Sequence, residues 1–490
     1  MKKVIPILGT MLSFSHIVYA ETTAQFNEVI GKVPFVTLSA EESFSARAKI
    51  HPFISSSLPQ PESYHGSFFE LNHNYPKEYQ KHEGIYPWEK VTGSGRITKD
   101  NAYDYVNSLK QYVSKDMSVL LFNKNNPNND NWFQSIWLGT EREPIHGMYV
   151  GSGFPAHTLT DQNIDLTTYV YTLYDTRAAK TLGDIWGHSL EEAMNPSITD
   201  DTTQYAEGSV IVKFSFVTPC GTDWAPMKNA AVWQIYAPVN ISNGTAKSST
   251  SKCENRGAEG NSSTPVLTKV YLMQFDIIVK DSKAAPETGW VFSTLIYDKD
   301  APGANAWDKM VPLGATWGGD PDIKNLNTDA LTPPVKVNDK LNQNWINEST
   351  PEYARSTLGW DGRLSGPNDG AVVTPAWADD TYYHKGLATA GCLGCHSSAQ
   401  YPMTSFLLPS TTYPPQTKQS PLSSDPNSAS LVLSTPGNAS WMKWFQSNSG
   451  TTPMGPKDSS GKLPVALDYD MVTAFKAIPM WQAAKNATEK

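Results

Sequence analysis

Apolar and polar positions alternate most clearly in the middle of the chain. Val210 to Val217 is built of β-branched and aromatic residues, with polar side chains at Lys213 and Ser215, which is the pattern of a strand. Val232 to Tyr236, Val270 to Val279 and Gly289 to Tyr297 repeat it, separated by turn-rich polar stretches such as Asn240 to Thr264. Such runs predict an antiparallel sheet or sandwich. Helical spacing appears at Asp100 to Leu120, where Tyr103, Val106, Leu109 and Tyr112 recur and Asp100 can cap the first turn. It returns at Ala439 to Gln446 and at Ala466 to Ala484, where Pro479 has to kink or end the helix. The polar connection from Asp320 to Gln343, with Pro333-Pro334, marks a boundary. The expected fold is α+β. A β-rich N-terminal region, one unit or two, covers 21–345, and a mainly α-helical domain covers 346–490.

A length of 490 residues with 39% hydrophobic content supports more than one core. Residues 1–20 read as a signal peptide: Lys2 and Lys3, an apolar stretch from Val4 to Val18, and a small-residue site ending at Ala20. No later run of about eighteen apolar residues predicts a membrane span. The expected location is therefore the periplasm, reached by secretion. Removing the two leader lysines takes the formal charge from −9 to −11. That sign disfavours nucleic acid and anionic membrane surfaces, and suits a basic protein partner.

The sharpest chemical signal is Cys392-Leu393-Gly394-Cys395-His396. C-x-x-C-H is the attachment pattern of c-type haem. Cys392 and Cys395 would form the covalent thioethers, and His396 would be the proximal iron ligand. The other two cysteines, Cys220 and Cys253, are expected to form a disulfide in an oxidising compartment, worth on the order of 3–4 kcal/mol. A four-cysteine zinc site would leave His396 unexplained and lacks close ligand spacing. The sixth iron position decides between a closed electron carrier and a site open to ligands. Met454, in the loop Thr452-Pro453-Met454-Gly455, is the first candidate for it, with Met403, Met442 and Met471 as competitors. His146 and His384 are alternatives. Arg363, with Trp360, is a candidate for contact with haem propionates, since guanidinium suits carboxylates; turn stabilisation explains both residues equally well.

Together these pieces resemble a group of poorly characterised, secreted bacterial cytochrome c family proteins. The resemblance is carried by Ile145-His146-Gly147, Gly289-Trp290-Val291-Phe292 with Tyr297, and Trp317-Gly318 before Asp320-Pro321. It continues through Gly359-Trp360, Gly362-Arg363-Leu364, the run Cys392 to His396, and Leu467-Asp468-Tyr469. It spans most of residues 130 to 475, and only the C-x-x-C-H part is specific. It implies that 346–490 is a cytochrome c-like domain with one haem c, transferring single electrons to a redox protein partner. A haem-dependent oxidoreductase with a pocket in the β-rich region and His146 on the distal side is one alternative. A haem-based sensor is another.

Overall fold

The central strand signals assemble into one antiparallel sheet. Its strands are β1 (Trp132–Phe133), β2 (Tyr149–Phe154), β3 (Leu166–Asp175), β4 (Val210–Val217), β5 (Val232–Pro238), β6 (Pro265–Lys280), β7 (Trp290–Tyr297), β8 (Met310–Thr316) and β9 (Asn344–Ile346). They pair in the order β1-β3-β4-β6-β7-β8-β9, with β2 also beside β3 and β5 also beside β6. The computed structural model describes residues 62–66, 72–80, 82, 84–122, 131–138, 142–154, 159–162, 166–218, 224–238, 265–323, 337–368, 371–378, 381–388, 390–402, 442–454 and 457–488. The leader 1–20, Cys220, Cys253 and Met403 lie outside the described residues.

Successive strand residues point to opposite faces, and here both faces are covered. On the first face Val210, Val212, Phe214, Phe275, Ile277, Val291 and Leu295 join one core. It is closed by α2 (Ala102–Phe122), which follows the short α1 (Pro87–Val91). The predicted helix is therefore present, but its buried stripe is Tyr105, Val106, Leu109, Val113 and Met117, while Tyr103 is exposed. Each such side chain taken fully out of water contributes about 1.5–3 kcal/mol. On the second face the alternate residues Tyr174, Ile211, Ile278, Trp290 and Phe292 join a different core.

The second core is closed by α3 (Thr176–Trp186) and by segments from the C-terminal part of the chain. Between α3 and β4 lies the short α4 (Leu190–Met194). The expected boundary at 345/346 falls within β9, and Leu393, Ala399, Leu467 and Tyr469 share one core with the sheet. The described helices beyond it are short: α5 (Glu352–Arg355), α6 (Gly391–His396) and α7 (Ile478–Thr488). The hairpin β10 (Ala371–Ala378) and β11 (Thr381–Ala388) and the pair β12 (Gln400–Tyr401) and β13 (Val465–Ala466) accompany them. The architecture is thus a sheet-rich antiparallel core with added helices.

One predicted helix changes form. Of the other, Ala439 to Gln446, residues 442–446 are described: Met442 is helical and a 3-10 turn follows at Lys443–Phe445. The stretch from Ala466 begins as strand and turn, and only then enters a π-helical turn at Thr473–Ala477 before α7. Pro479 sits at the second position of α7, directly after that widened turn, and Pro cannot donate to the residue four earlier. Asp468 and Tyr469 take positive φ values of 44° and 70°, so no helix can run through them.

Candidate functional site

Helix α6 carries the motif, and its placement follows from its neighbours in sequence. Gly391 enters it at φ +83°, and a Cβ there would lie 2.8 Å from the Leu364 carbonyl oxygen; glycine alone meets both demands. The Cys392 N–H donates to that same carbonyl at 2.8 Å. Leu393 is buried against the second sheet face and anchors the turn. Residues three apart on a helix share a face, so Cys392 and Cys395 lie side by side. Both are half-buried thiols rather than a disulfide.

His396 closes the motif against the sheet. Its ring centroid is 4.7 Å from that of Phe292 on β7, at a 59° tilt. Its Nδ1 lies 2.8 Å from the Tyr469 carbonyl oxygen. A carbonyl oxygen only accepts, so Nδ1 carries the hydrogen and Nε2 the lone pair. Metal-binding histidines have this arrangement, because the bonded nitrogen fixes the tautomer and the ring orientation.

Sequence reading names Leu467-Asp468-Tyr469 for the resemblance alone, not as the turn that presents this carbonyl. Asp468 is wholly buried and accepts from Lys280 Nζ at 2.7 and 2.8 Å, from Trp290 Nε1 at 2.8 Å and from the Tyr205 N–H at 2.8 Å. Asp470 accepts from the Tyr205 hydroxyl at 2.6 Å, the Tyr174 hydroxyl at 3.1 Å, and Thr473 through both its N–H and its hydroxyl. Burial, then the Asp470 charge, pushes the Tyr174 and Tyr205 phenols well above their ordinary range. Gly450 passes so close to the Asp468 carboxylate that a Cβ there would overlap it. Trp290, Phe292 and Asp468 stand in the runs that carried the family resemblance, where they were read only as shared architecture.

Two methionines flank the end of the motif. Ser397 Oγ is 3.1 Å from Met454 Sδ, and Ser398 Oγ is 3.8 Å from Met471 Sδ. Met454 leans on a small cluster of Trp360, Met442, Trp444 and Phe445. Met442 is a buried member of that cluster.

Other expected site residues lie elsewhere. His146 stacks on Trp233 at 4.4 Å, and Trp233 belongs to the core on the α2 side of the sheet, its indole donating to the Leu121 carbonyl. The structure therefore sets His146 among residues of the opposite face from His396. His384 is placed on β11 opposite Pro375. Arg363 is buried, and its guanidinium donates to the carbonyls of Gly319, Trp360, Asp320 and Ile323. It also lies 4.4 Å over the Phe445 ring and 5.1 Å over that of Trp360. Burial holds its pKa down at about 10. These contacts stabilise the turn around Arg363 and Trp360. From Arg363 the chain crosses the second face to Asn368, whose N–H donates to Gln274. There Gln274, Thr294 and Lys213 converge on Asp276.

No protein family, curated protein or solved structure matches the chain. What the site can do therefore rests on its donors. Two adjacent thiols and an imidazole with a directed Nε2 lone pair fit the demands of a covalently held haem. Among the described residues no group of three or more His, Cys, Asp or Glu side chains is arranged to hold a metal ion by itself. Among them, too, no helix is long and apolar enough to cross a membrane.

Proposed function

We propose that the protein is an exported monohaem c-type cytochrome that transfers single electrons in the periplasm. The observation that carries this reading is the 2.8 Å contact from His396 Nδ1 to the Tyr469 carbonyl, with His396 directly following the second of two neighbouring thiols. Cys392 and Cys395 hold the haem c, His396 binds its iron, and Met454 is the first choice for the sixth ligand, with Met471 as its competitor. A bound haem supplies a one-electron iron couple, whose potential is set by the axial ligands and their burial. The chain's own part is to orient the imidazole, exclude water with Phe292 and Leu393, and present a surface to a protein partner. The net charge favours a basic one. In this reading 346–490 is the cytochrome c-like part of the chain, residues 1–20 direct export, and Cys220 and Cys253 form a disulfide.

The test is a denaturing gel stained for haem, followed by absorption spectra with and without carbon monoxide. The expected result is haem that stays with the wild-type chain and is lost from the Cys392→Ser/Cys395→Ser variant. A methionine–iron band that disappears in Met454→Ala identifies the sixth ligand; immediate carbon monoxide binding by the wild type would refute a closed carrier. Protein purified from a host that attaches c-type haem, yet carrying none, would end the proposal.

A further inference from the structure

The turn at 468–470 is held far more tightly than its place in the chain requires. Asp468 and Tyr469 are consecutive non-glycine residues in the left-handed region, a conformation that persists only where surroundings over-determine it. Here they do. The Asp468 carboxylate takes Lys280, Trp290 and the Tyr205 N–H, while Asp470 takes Tyr205, Tyr174 and Thr473. Between these two clamped carboxylates stands the Tyr469 carbonyl, the group that accepts the His396 Nδ1 proton.

We propose that Asp468, held by Lys280 and Trp290, is a positioning residue for His396. It fixes the direction of the Tyr469 carbonyl and thereby sets how strongly His396 Nε2 donates to a metal. The inference deepens the haem reading and rests on it for its effect on iron. A hydrogen bond from Nδ1 to a fixed acceptor makes the ring a stronger donor, which favours ferric over ferrous iron. Loosening the turn weakens that bond and raises the reduction potential. Lys280 and Asp468 carry opposite charges, so a purely Coulombic influence predicts opposite shifts when each is neutralised. Positioning predicts the same upward shift for both.

The experiment has two readouts. In the purified protein labelled with 15N-histidine, with 13C at the Tyr469 carbonyl, His396 should show a protonated Nδ1 coupled through the hydrogen bond to that carbon. Asp468→Asn and Lys280→Gln should each diminish this coupling while the fold persists. This measurement needs no haem, so it judges the turn even if the haem reading fails. In haem-loaded protein both variants should raise the fraction reduced at a fixed ambient potential. The expected change in the oxidised-to-reduced ratio is several-fold, where tenfold corresponds to about 59 mV for one electron. Trp290→Phe, which removes one donor and no charge, should shift it the same way by less. It is the variant of choice if the charge changes prevent folding. Opposite shifts for Asp468→Asn and Lys280→Gln overturn the proposal, as does an unchanged ratio in folded variants. Absence of the Nδ1 coupling in the wild type overturns it outright.

Discussion

Replacing Arg363 by Met tests whether this arginine holds backbone rather than a ligand. The side chain is 2% exposed and makes four hydrogen bonds to carbonyls from two segments, 319–323 and 360. The Trp360 and Asp320 carbonyls keep the N–H groups of Arg363 and Ile323 as donors. The Gly319 and Ile323 carbonyls lose their partner at about 2 kcal/mol each, and the other two lose one bond of about 1 kcal/mol each, roughly 6 kcal/mol together. Removing the guanidinium also recovers its own desolvation. Its pKa falls from 12.5 to about 10, which returns on the order of 3 kcal/mol at 1.36 kcal/mol per pH unit. The net expected loss is about 3 kcal/mol. Met keeps part of the contact with Phe445 and Trp360, so the loss belongs mainly to the hydrogen bonds. Arg363→Lys keeps the charge but not the planar fork, and should recover no more than about half of that loss.

Equilibrium urea unfolding followed by tryptophan fluorescence measures the loss directly. The Leu364 carbonyl that receives the Cys392 N–H adjoins Arg363, so hydrogen exchange at Cys392 should also accelerate. A stability within about 1 kcal/mol of wild type would refute this account. If stability held while only the absorption spectrum of the haem-loaded protein moved, Arg363 would be a propionate partner after all.

Two further outcomes are expected. Lys280→Met breaks a buried ion pair and should cost about 3–5 kcal/mol, whereas Lys280→Met combined with Asp468→Asn, which removes the charge but keeps an acceptor oxygen for Trp290, should recover part of it; strictly additive unfolding free energies would show that the two do not interact. Burial raises the Glu143 carboxyl from its ordinary 4.5 to about 7, against the pull of the N–H groups of Ile145, Met148, Tyr236 and His146. The folded chain therefore keeps a proton that the unfolded chain releases. This contribution is intact below about pH 4.5 and is lost as pH rises to about 7, on the order of 3 kcal/mol in all. Unfolding measured between pH 5 and 8 should show the decline, and Glu143→Gln should flatten it.

The strands were legible because they are stiff and apolar. Val210–Val217 and Trp290–Tyr297 match their expected bounds within a residue. The β6 strand is longer than its apolar run because its first half pairs with β5 and its second with β4 and β7. Polar positions misled more. Lys213 and Ser215 look like an outward face, yet Lys213 pairs with Asp276 beneath the crossing 363–368 segment and Ser215 is buried. The turn at 468–470 falls inside the expected helix because Met471, Val472, Phe475, Ile478 and Met480 just beyond it have helical spacing, while the partners that bend it lie on β6, β7 and the chain before β4. Cys392, Cys395 and His396 were legible because their chemistry is local. The carbonyl that orients His396 was not, because only the fold brings residue 469 beside residue 396.

These separations bear on the order in which the molecule can be built. The contacts that complete the site span 73 residues from His396 to Tyr469, 188 from Lys280 to Asp468, and 296 from Tyr174 to Asp470. Long-range contacts form late, since the closure of the intervening chain must come first. Strands β1 to β9 are all in hand once residue 346 has emerged. The 468–470 turn follows on the order of 10 s later at ordinary rates of synthesis. During that interval the second face of the sheet has no 468–470 turn to close it, and the segment bearing Cys392 and Cys395 is not yet locked down by Tyr469. The C-terminal turn is thus a latch, and a chain that ends before it should keep its sheet while leaving its two thiols open to whatever attaches to them.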